Sequence, residues 1–259
     1  MTNRRLGAVA ALSFAFAAAS ALADPGYYLV TPYSTPGQAA LDLRYWTVKS
    51  PAYGTTLWPE IGMRYGVNSR WTTELFASYI GDSFGTQKLS SINWQNDVLL
   101  TQGQQAYDLA LHAQLIRNRG EGNALELGPV FQTEWGTTQL NANIFFAHDW
   151  ASKRGTQVKI QWQALHRLQP GVRVGLRGFG ELGRWDDLPP PRRQSHRAGP
   201  VLHLGTGKLD LDLTYLWGKT YGGRGDMFSA QVLVAFKARA TFAISWLIWP
   251  SERPNARTT

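Results

Sequence analysis

The stretch from Asn123 to His148 constrains the fold more than any other part of this chain, because apolar and polar side chains alternate along it. Gly136-Thr137 divides it into two segments. In the second segment the alternation reads Leu140, Ala142, Ile144 and Phe146 against Gln139, Asn141 and Asn143. Successive side chains of a strand point to opposite faces, so this period of two predicts a β-hairpin. The period does not show which face meets water, since a soluble sandwich packs its apolar face inward and a membrane barrel turns that face to lipid.

The first 23 residues have the features of a secretory signal peptide. Arg4 and Arg5 precede an apolar run, and Ala21-Leu22-Ala23 matches an A-x-A cleavage site, which predicts a mature chain that begins at Asp24. The alternative is a membrane-anchor helix, but the run is short for a span of roughly 20 residues. Residues 24–38 contain three prolines and are predicted to form a short periplasmic N-terminal arm.

Composition excludes several classes of function. The chain has no cysteine, which rules out a disulfide scaffold, a zinc–thiolate site and a cysteine nucleophile. The formal charge of +8 includes two arginines of the predicted signal peptide and a basic C-terminal tail, so the body has only a small positive excess. Without a dense basic patch, we expect no nucleic-acid partner.

Segments with a period of two recur along the whole chain. Twelve strands are predicted, and besides the two strands of the hairpin they are Ala39–Lys49, Thr56–Gly66, Trp71–Tyr79, Ile92–Thr101, Ala106–Ile116, Gln157–His166, Gly171–Gly183, Arg197–Leu204, Lys208–Gly218 and Met227–Phe236. The connections after even-numbered strands are short, namely Val67–Arg70, Gln102–Gln105, Gly136–Thr137, Arg167–Pro170 and Gly205–Gly207. Most connections after odd-numbered strands are longer, namely Gly81–Ser91, Arg117–Asn123, Asp149–Thr156, Arg184–His196 and Lys219–Asp226.

This alternation of short and long connections is expected of outer-membrane barrels, whose periplasmic turns are short and whose external loops are longer. A sandwich with Greek-key connections has no reason to show it. Aromatic residues lie near both ends of the strands, as in the two belts of a barrel in lipid, and they include Trp71, Tyr107, Trp135, Tyr45, Tyr79 and Trp217. The sequence therefore predicts an all-β fold, a single antiparallel up-and-down transmembrane β-barrel of about 12 strands over residues 39–236.

The chain resembles Gram-negative outer-membrane β-barrel proteins in its signal peptide, even strand count and last strand. Its ending Gln231–Phe236 resembles the C-terminal aromatic signal that is read by the barrel-assembly machinery, which the resemblance implies as a partner. A fainter resemblance is to the channel-like group of the MetA phenol-degradation pathway. Such barrels usually end at the aromatic residue, whereas this chain continues over residues 237–259, where Thr241–Trp249 reads as a further strand or as part of a tail. The resemblance implies location in the cell outer membrane, in contact with its lipid and lipopolysaccharide.

One face of the predicted strands carries charged side chains, and in a membrane barrel that face lines the lumen. The residues predicted to line it are Asp42, Arg44, Glu60, Arg64, Glu74, Asp108, Glu126, Glu134, Lys159, Arg173, Arg177, Asp210 and Asp212. Buried charges need partners, which neighbouring strands can supply. Two outcomes remain open: paired acids and bases that fill the lumen, or a narrow polar path whose charges set ion preference.

Three motifs near the predicted external rim contain residue types that are used in catalysis. His148-Asp149 and Asp186-Asp187 loosely resemble the His-Asp and Asp-Asp pairs of omptin proteases, but the omptin spacing is absent. Ser195-His196 is a poor hydrolase dyad, because neighbours on a strand point to opposite faces. The five histidines lack the spacing of a local metal site. We therefore predict no catalytic residue, no metal and no cofactor.

The loop at Pro189–Arg193 is stiff and basic. Arg192, Arg193 and Arg197 are predicted to contact lipopolysaccharide phosphates, the alternative being a solvated loop. The tripeptide at 224–226 matches an adhesion motif, which glycine-rich turns also produce by chance. The predicted function is a non-enzymatic outer-membrane protein that forms a narrow passive channel for small solutes. The alternatives are a plugged structural or surface-interaction barrel and, third, a hydrolase with its site at the rim.

Overall fold

The computed structural model describes residues 26–50, 54–101, 103–120, 122–220 and 223–237, which form a closed barrel of antiparallel strands. The strands are β1 Gln38–Ser50, β2 Gly54–Gly66, β3 Trp71–Ile80, β4 Lys88–Leu99, β5 Tyr107–Asn118, β6 Gly122–Trp135, β7 Thr138–Asp149, β8 Gln157–Gln169, β9 Val172–Arg184, β10 Ser195–Gly205, β11 Leu209–Thr220 and β12 Gly223–Lys237. Each strand pairs with its neighbours in sequence, and β12 pairs with β1. The predicted fold class and strand number are confirmed.

The first and last strands close the barrel. Their register runs from Gln38 opposite Lys237 to Lys49 opposite Asp226, so both edges of the sheet are paired. Closure therefore needs no contribution from Thr241–Trp249. The predicted signal peptide, and all of the predicted C-terminal extension except Lys237, lie outside the described residues.

Two connections that the sequence predicts to be long are shortened because the strands on either side continue into them. The expected loop at Lys219–Asp226 is mostly strand, because β11 and β12 pair as far as Thr220 opposite Gly223. The expected loop at Arg117–Asn123 is shortened in the same way by β5 and β6. Backbone pairing does not require apolar side chains, so polar residues extend these strands beyond the apolar band.

Among the described residues, no helix is long and apolar enough to cross a membrane.

The longer connections that remain lie after β3, β7 and β9, at residues 81–87, 150–156 and 185–194, and after β4, at residues 100–106, where the sequence predicts a shorter turn. The first three share one end of the barrel, which the rule for membrane barrels assigns to the outside. The start of β1 and the end of β12 lie at the opposite, periplasmic end. Large apolar side chains are exposed on the outer surface between the two ends, and they include Leu43, Ile61, Met63, Leu75, Ile92, Trp94, Leu111, Ile144, Phe146, Leu176 and Phe228. This band suits contact with lipid.

The N-terminal arm differs most from the prediction. The sequence predicts that residues 24–38 lie in the periplasm, but the described part of this arm lies inside the barrel. At the first described residue, Gly26, the backbone carbonyl accepts a hydrogen bond from Gln161. The four side chains of residues 27–30, two tyrosines, a leucine and a valine, are at most 7% exposed. In the periplasm these largely apolar side chains would face water, and their burial in the lumen removes that cost.

Candidate functional site in the barrel lumen

All thirteen charged residues that were predicted to line the lumen lie on the inner side of the wall. Seven are buried, namely Asp42, Arg44, Glu60, Glu74, Glu126, Lys159 and Arg177. Those that line an open cavity are Arg64, Glu134, Arg173, Arg177, Asp210 and Asp212. Asp108 accepts a hydrogen bond of 3.0 Å from the hydroxyl of Tyr33 in the arm. The lumen is therefore filled on one side and open on the other.

Arg44 is the centre of an ion-pair cluster on β1, β2 and β3. The register places it opposite Glu60, and it places Arg64 opposite Glu74. The Arg44 guanidinium lies 2.9 Å from Asp42, 3.6 Å from Glu60 and 2.5 Å from Glu74. Arg64 lies 3.1 Å from Asp42 and 3.0 Å from Glu74. Three carboxylates thus share two guanidinium groups, and paired charges fill this side of the lumen.

A second polar chain crosses the inner face from β4 to β8. His112 Nδ1 lies 2.7 Å from Asp97, and its Nε2 lies 3.7 Å from Glu126. Lys159 Nζ lies 2.7 Å from the same glutamate. Each member sits beside an opposite or hydrogen-bonding partner, which is how buried charges are tolerated. These side chains also fill part of the lumen.

A cavity of about 540 Å³ lies between the arm, strands β6–β12 and Arg64 of β2, in the periplasmic half of the lumen. Its polar lining comprises Thr31, Tyr33, Arg64, Gln132, Glu134, Gln139, Gln163, Arg173, Arg177, His203, Asp210, Asp212 and Gln231. Arg177 donates hydrogen bonds to Gln163 and Asp212, and Arg173 donates one to Gln139. Three arginines face three carboxylates, so the cavity is strongly polar but balanced in formal charge.

The arm closes the other half of the lumen with an apolar layer. Tyr27, Tyr28 and Val30 of the arm pack among inward-facing side chains of the wall. These wall residues are Trp46, Trp58, Phe76, Leu99, Ala110, Val130, Phe145, Phe179, Leu216 and Met227. The Tyr27 ring meets Phe179 edge-on, with 5.6 Å between ring centroids. The Arg44 guanidinium lies 3.7 Å from the centroid of the Tyr28 ring, a cation–π contact that joins the arm to the ion-pair cluster.

Side-chain hydrogen bonds hold the arm against the wall. The Tyr27 hydroxyl donates to Glu181 at 2.7 Å, and the Tyr28 hydroxyl donates to Gln95 at 3.0 Å. The backbone N–H of Val30 donates to Gln161 at 3.2 Å. The buried polar groups of the arm thus find partners without adding a strand to the sheet.

Tyr33 anchors the arm where it enters the cavity at the periplasmic mouth. Its hydroxyl donates to Asp108 and accepts a hydrogen bond of 2.6 Å from Gln132. Partial burial, followed by the hydrogen bond to Asp108, raises the pKa of Tyr33 to about 12. The phenol therefore stays protonated at physiological pH and keeps its role as donor.

The predicted position of Arg197 in an external basic loop is wrong. The sequence placed it with Arg192 and Arg193 in the loop, but it lies on β10 and is only 3% exposed. Its guanidinium lies 4.5 Å from the centroid of the Tyr27 ring. Strand alternation contained this signal, because Arg197 shares its parity with the buried Val201.

The candidate catalytic groups at the rim make local contacts. His148 Nδ1 lies 3.0 Å from the hydroxyl of Thr156. Asp186 forms an ion pair of 2.7 Å with Arg184, and this hydrogen-bonded contact lowers the pKa of Asp186. Ser195 is buried and His196 is exposed, as expected of neighbours on a strand.

Solved structures that are similar to this barrel are outer-membrane proteins. The NanC porin matches with a TM-score of 0.57 and 7% identity, over 75% of this chain and 98% of that one. An outer-membrane channel from Pseudomonas putida F1 matches with a TM-score of 0.57 and 12% identity, over 82% of this chain and 99% of that one. At these identities the likeness shows the fold, which is that of an outer-membrane β-barrel, as predicted. No protein-family model and no curated protein match the sequence, so the fainter resemblance to the MetA group stays a prediction.

Proposed function

We propose that the protein is an outer-membrane channel for small polar solutes and that its N-terminal arm closes the lumen in the conformation described above. The observation that carries this proposal is the polar cavity of about 540 Å³ beneath the seated arm. Its volume falls in the range of roughly 300–1,000 Å³ that is typical of sites for small molecules. A barrel whose lumen served only to hold the wall together would have no use for this space.

The arm is suited to act as a removable plug. The twelve strands pair into a closed wall without it, and the arm is held by side-chain hydrogen bonds and ring contacts. Its departure would therefore break no hydrogen bond between strands. The arm lies between the polar cavity on its periplasmic side and the external half of the lumen. We therefore infer that the arm is the main obstruction to a solute that passes along the lumen.

Location in the outer membrane is supported by the apolar outer band and by the fold. The two similar solved structures carry the names porin and channel. A passive route for small solutes is the simplest function of a polar cavity in such a wall, because diffusion requires no energy source and no moving part except the arm. The balanced lining favours solutes with little net charge.

Deletion of residues 24–34 from the mature protein is expected to turn a mostly closed barrel into a steadily conducting one. If arm release costs a few kcal/mol, the open state of the intact protein should hold roughly 0.1–10% of the population. Without the arm, the open fraction should approach one. Single-channel recording of both refolded proteins in planar lipid bilayers measures this difference.

The matched control is Trp135→Ser, which removes an aromatic side chain that is 83% exposed at a periplasmic turn and has no place in the lumen. It should record like the intact protein. Silence of both the intact and the arm-deleted proteins, with heat-modifiable mobility showing that each is folded, would contradict the channel and favour a plugged structural barrel.

A further inference from the structure

Four basic residues lie near one another at the external end of the barrel. They belong to Arg192 and Arg193, in the loop before β10, and to Lys219 and Arg224, on β11 and β12. Lys219 stands directly opposite Arg224 in the register, and its Nζ donates a hydrogen bond to the backbone carbonyl of Arg192. None of the four forms an ion pair with a carboxylate among the residues that the structure describes.

Such a cluster is unfavourable unless an anion joins it. Like charges directly opposite each other on neighbouring strands destabilise the pair. Arg184, at the same end of the barrel, finds an anionic partner within the chain, since it forms an ion pair of 2.7 Å with Asp186. The nearest carboxylate on the same face of β12, Asp226, already accepts a hydrogen bond of 3.1 Å from the Tyr215 hydroxyl. The four cations therefore point to a ligand from outside the chain.

The position of the cluster along the barrel identifies the kind of anion. Tyr215 and Trp217 project outward from β11 and are 40% and 53% exposed. Aromatic side chains of this type lie at the headgroup level of a membrane. Lys219 follows on the same outward parity, roughly 7 Å further along the strand. The cluster thus lies just beyond the aromatic belt, at the depth of lipid phosphates in the outer leaflet.

The loop is held in place before any ligand arrives. Pro191–Arg193 forms one turn of 3₁₀ helix, in which the N–H of Arg193 bonds to the Pro190 carbonyl at 2.8 Å. The side chain of Gln194 donates to the Pro189 carbonyl at 2.9 Å. Together with the bond from Lys219, these contacts fix the two arginines beside β11, so less conformational entropy is lost on binding.

We propose that Arg192, Arg193, Lys219 and Arg224 bind the phosphate groups of lipid A in the outer leaflet. Guanidinium groups bind phosphate through two parallel hydrogen bonds, and the lysine adds a point charge. The inference rests on the outer-membrane location given under the proposed function and does not depend on conduction. A protein that binds lipid A but never conducts would refute the channel alone.

The test is binding of purified lipid A to the refolded mature protein in detergent, with the double variant Lys219→Gln/Arg224→Gln. Each basic residue at an anionic lipid surface contributes roughly a factor of five, so the variant should bind about 25-fold more weakly. The control Lys153→Gln/Arg154→Gln removes the same charge from another external loop and should bind like the unchanged protein. Equal loss in both variants would overturn the assigned site.

Two further probes identify the ligand. Lipid A stripped of its phosphates should bind the unchanged protein no better than the double variant binds intact lipid A; equal binding with and without phosphates would overturn the proposal. Phosphatidylglycerol presents a single phosphate and should bind more weakly than lipid A. Equal affinity for phosphatidylglycerol would show a site for lipid phosphate in general and would overturn the assignment to lipid A.

Discussion

Replacement of Arg44 by methionine is expected to lower the free energy of unfolding by about 3–5 kcal/mol, the usual cost of leaving a buried charge without its partner. Arg44 is 3% exposed and lies within 3.6 Å of three carboxylates, those of Asp42, Glu60 and Glu74. Methionine fills a similar space but leaves these acids with only Arg64 nearby. The Tyr28 ring of the arm also loses its cation–π partner. Urea unfolding of the refolded barrel, followed by loss of its heat-modifiable mobility, measures the change.

The matched control is Arg64→Met, which removes a cation from the same cluster at a side chain that is 24% exposed. Its loss should be smaller, because water reaches this edge of the cluster. The double variant Arg44→Met/Glu74→Gln removes one of the stranded charges and should recover part of the stability. If Arg44→Met unfolds at the same urea concentration as the unchanged protein, the cluster does not have the role described above.

Neutralising Arg173 and Arg177 together is expected to make the open channel prefer cations. In the unchanged cavity the positive charges of these two residues and Arg64 balance the negative charges of Glu134, Asp210 and Asp212. The variant Arg173→Gln/Arg177→Gln leaves two uncompensated carboxylates in a lining where charge sets ion preference. Reversal potentials under a salt gradient, recorded on the arm-deleted protein, should move from near zero toward the cation value.

The control for this experiment is Arg70→Gln/Lys208→Gln, which removes two cations from periplasmic turns outside the cavity. Its reversal potential should stay near zero, because neither side chain lines the cavity and exposed charges are screened by salt. An unchanged reversal potential in the Arg173→Gln/Arg177→Gln variant would show that ions do not pass through this cavity.

The barrel wall could be predicted from the sequence because a membrane barrel imposes one rule on every strand. Most inward positions are polar and most outward positions meet lipid, so residues such as Leu127 and Glu126 are sorted by parity alone. That rule assigns the thirteen charged residues to the inner face, and the same alternation along β10 would also have assigned Arg197 to it. The rule does not predict which charged residues form ion pairs, because cross-strand partners such as Arg44 and Glu60 depend on a register that turn lengths determine.

The arm could not be predicted in the same way. Tyr27–Val30 has no period, since it forms neither a strand nor a helix, and its proline-rich surroundings read as a linker. Its burial depends on space that remains in the lumen after twelve strands close, which is a property of the whole wall. The apolar inward residues around it, such as Phe145 and Leu216, broke the expected polar pattern and were the one local sign that something apolar occupies the lumen.

The seating of the arm is the central claim, and thiol labelling tests it most directly because the chain has no native cysteine. A cysteine at Val30, which is 4% exposed inside the barrel, should react slowly with a water-soluble maleimide in the refolded protein. A cysteine at Thr35, exposed near the periplasmic mouth, should react at the rate of a free thiol. Slow labelling at residue 30 and fast labelling at residue 35 is the predicted result. Equally fast labelling at both positions would place the arm outside the lumen and contradict the account.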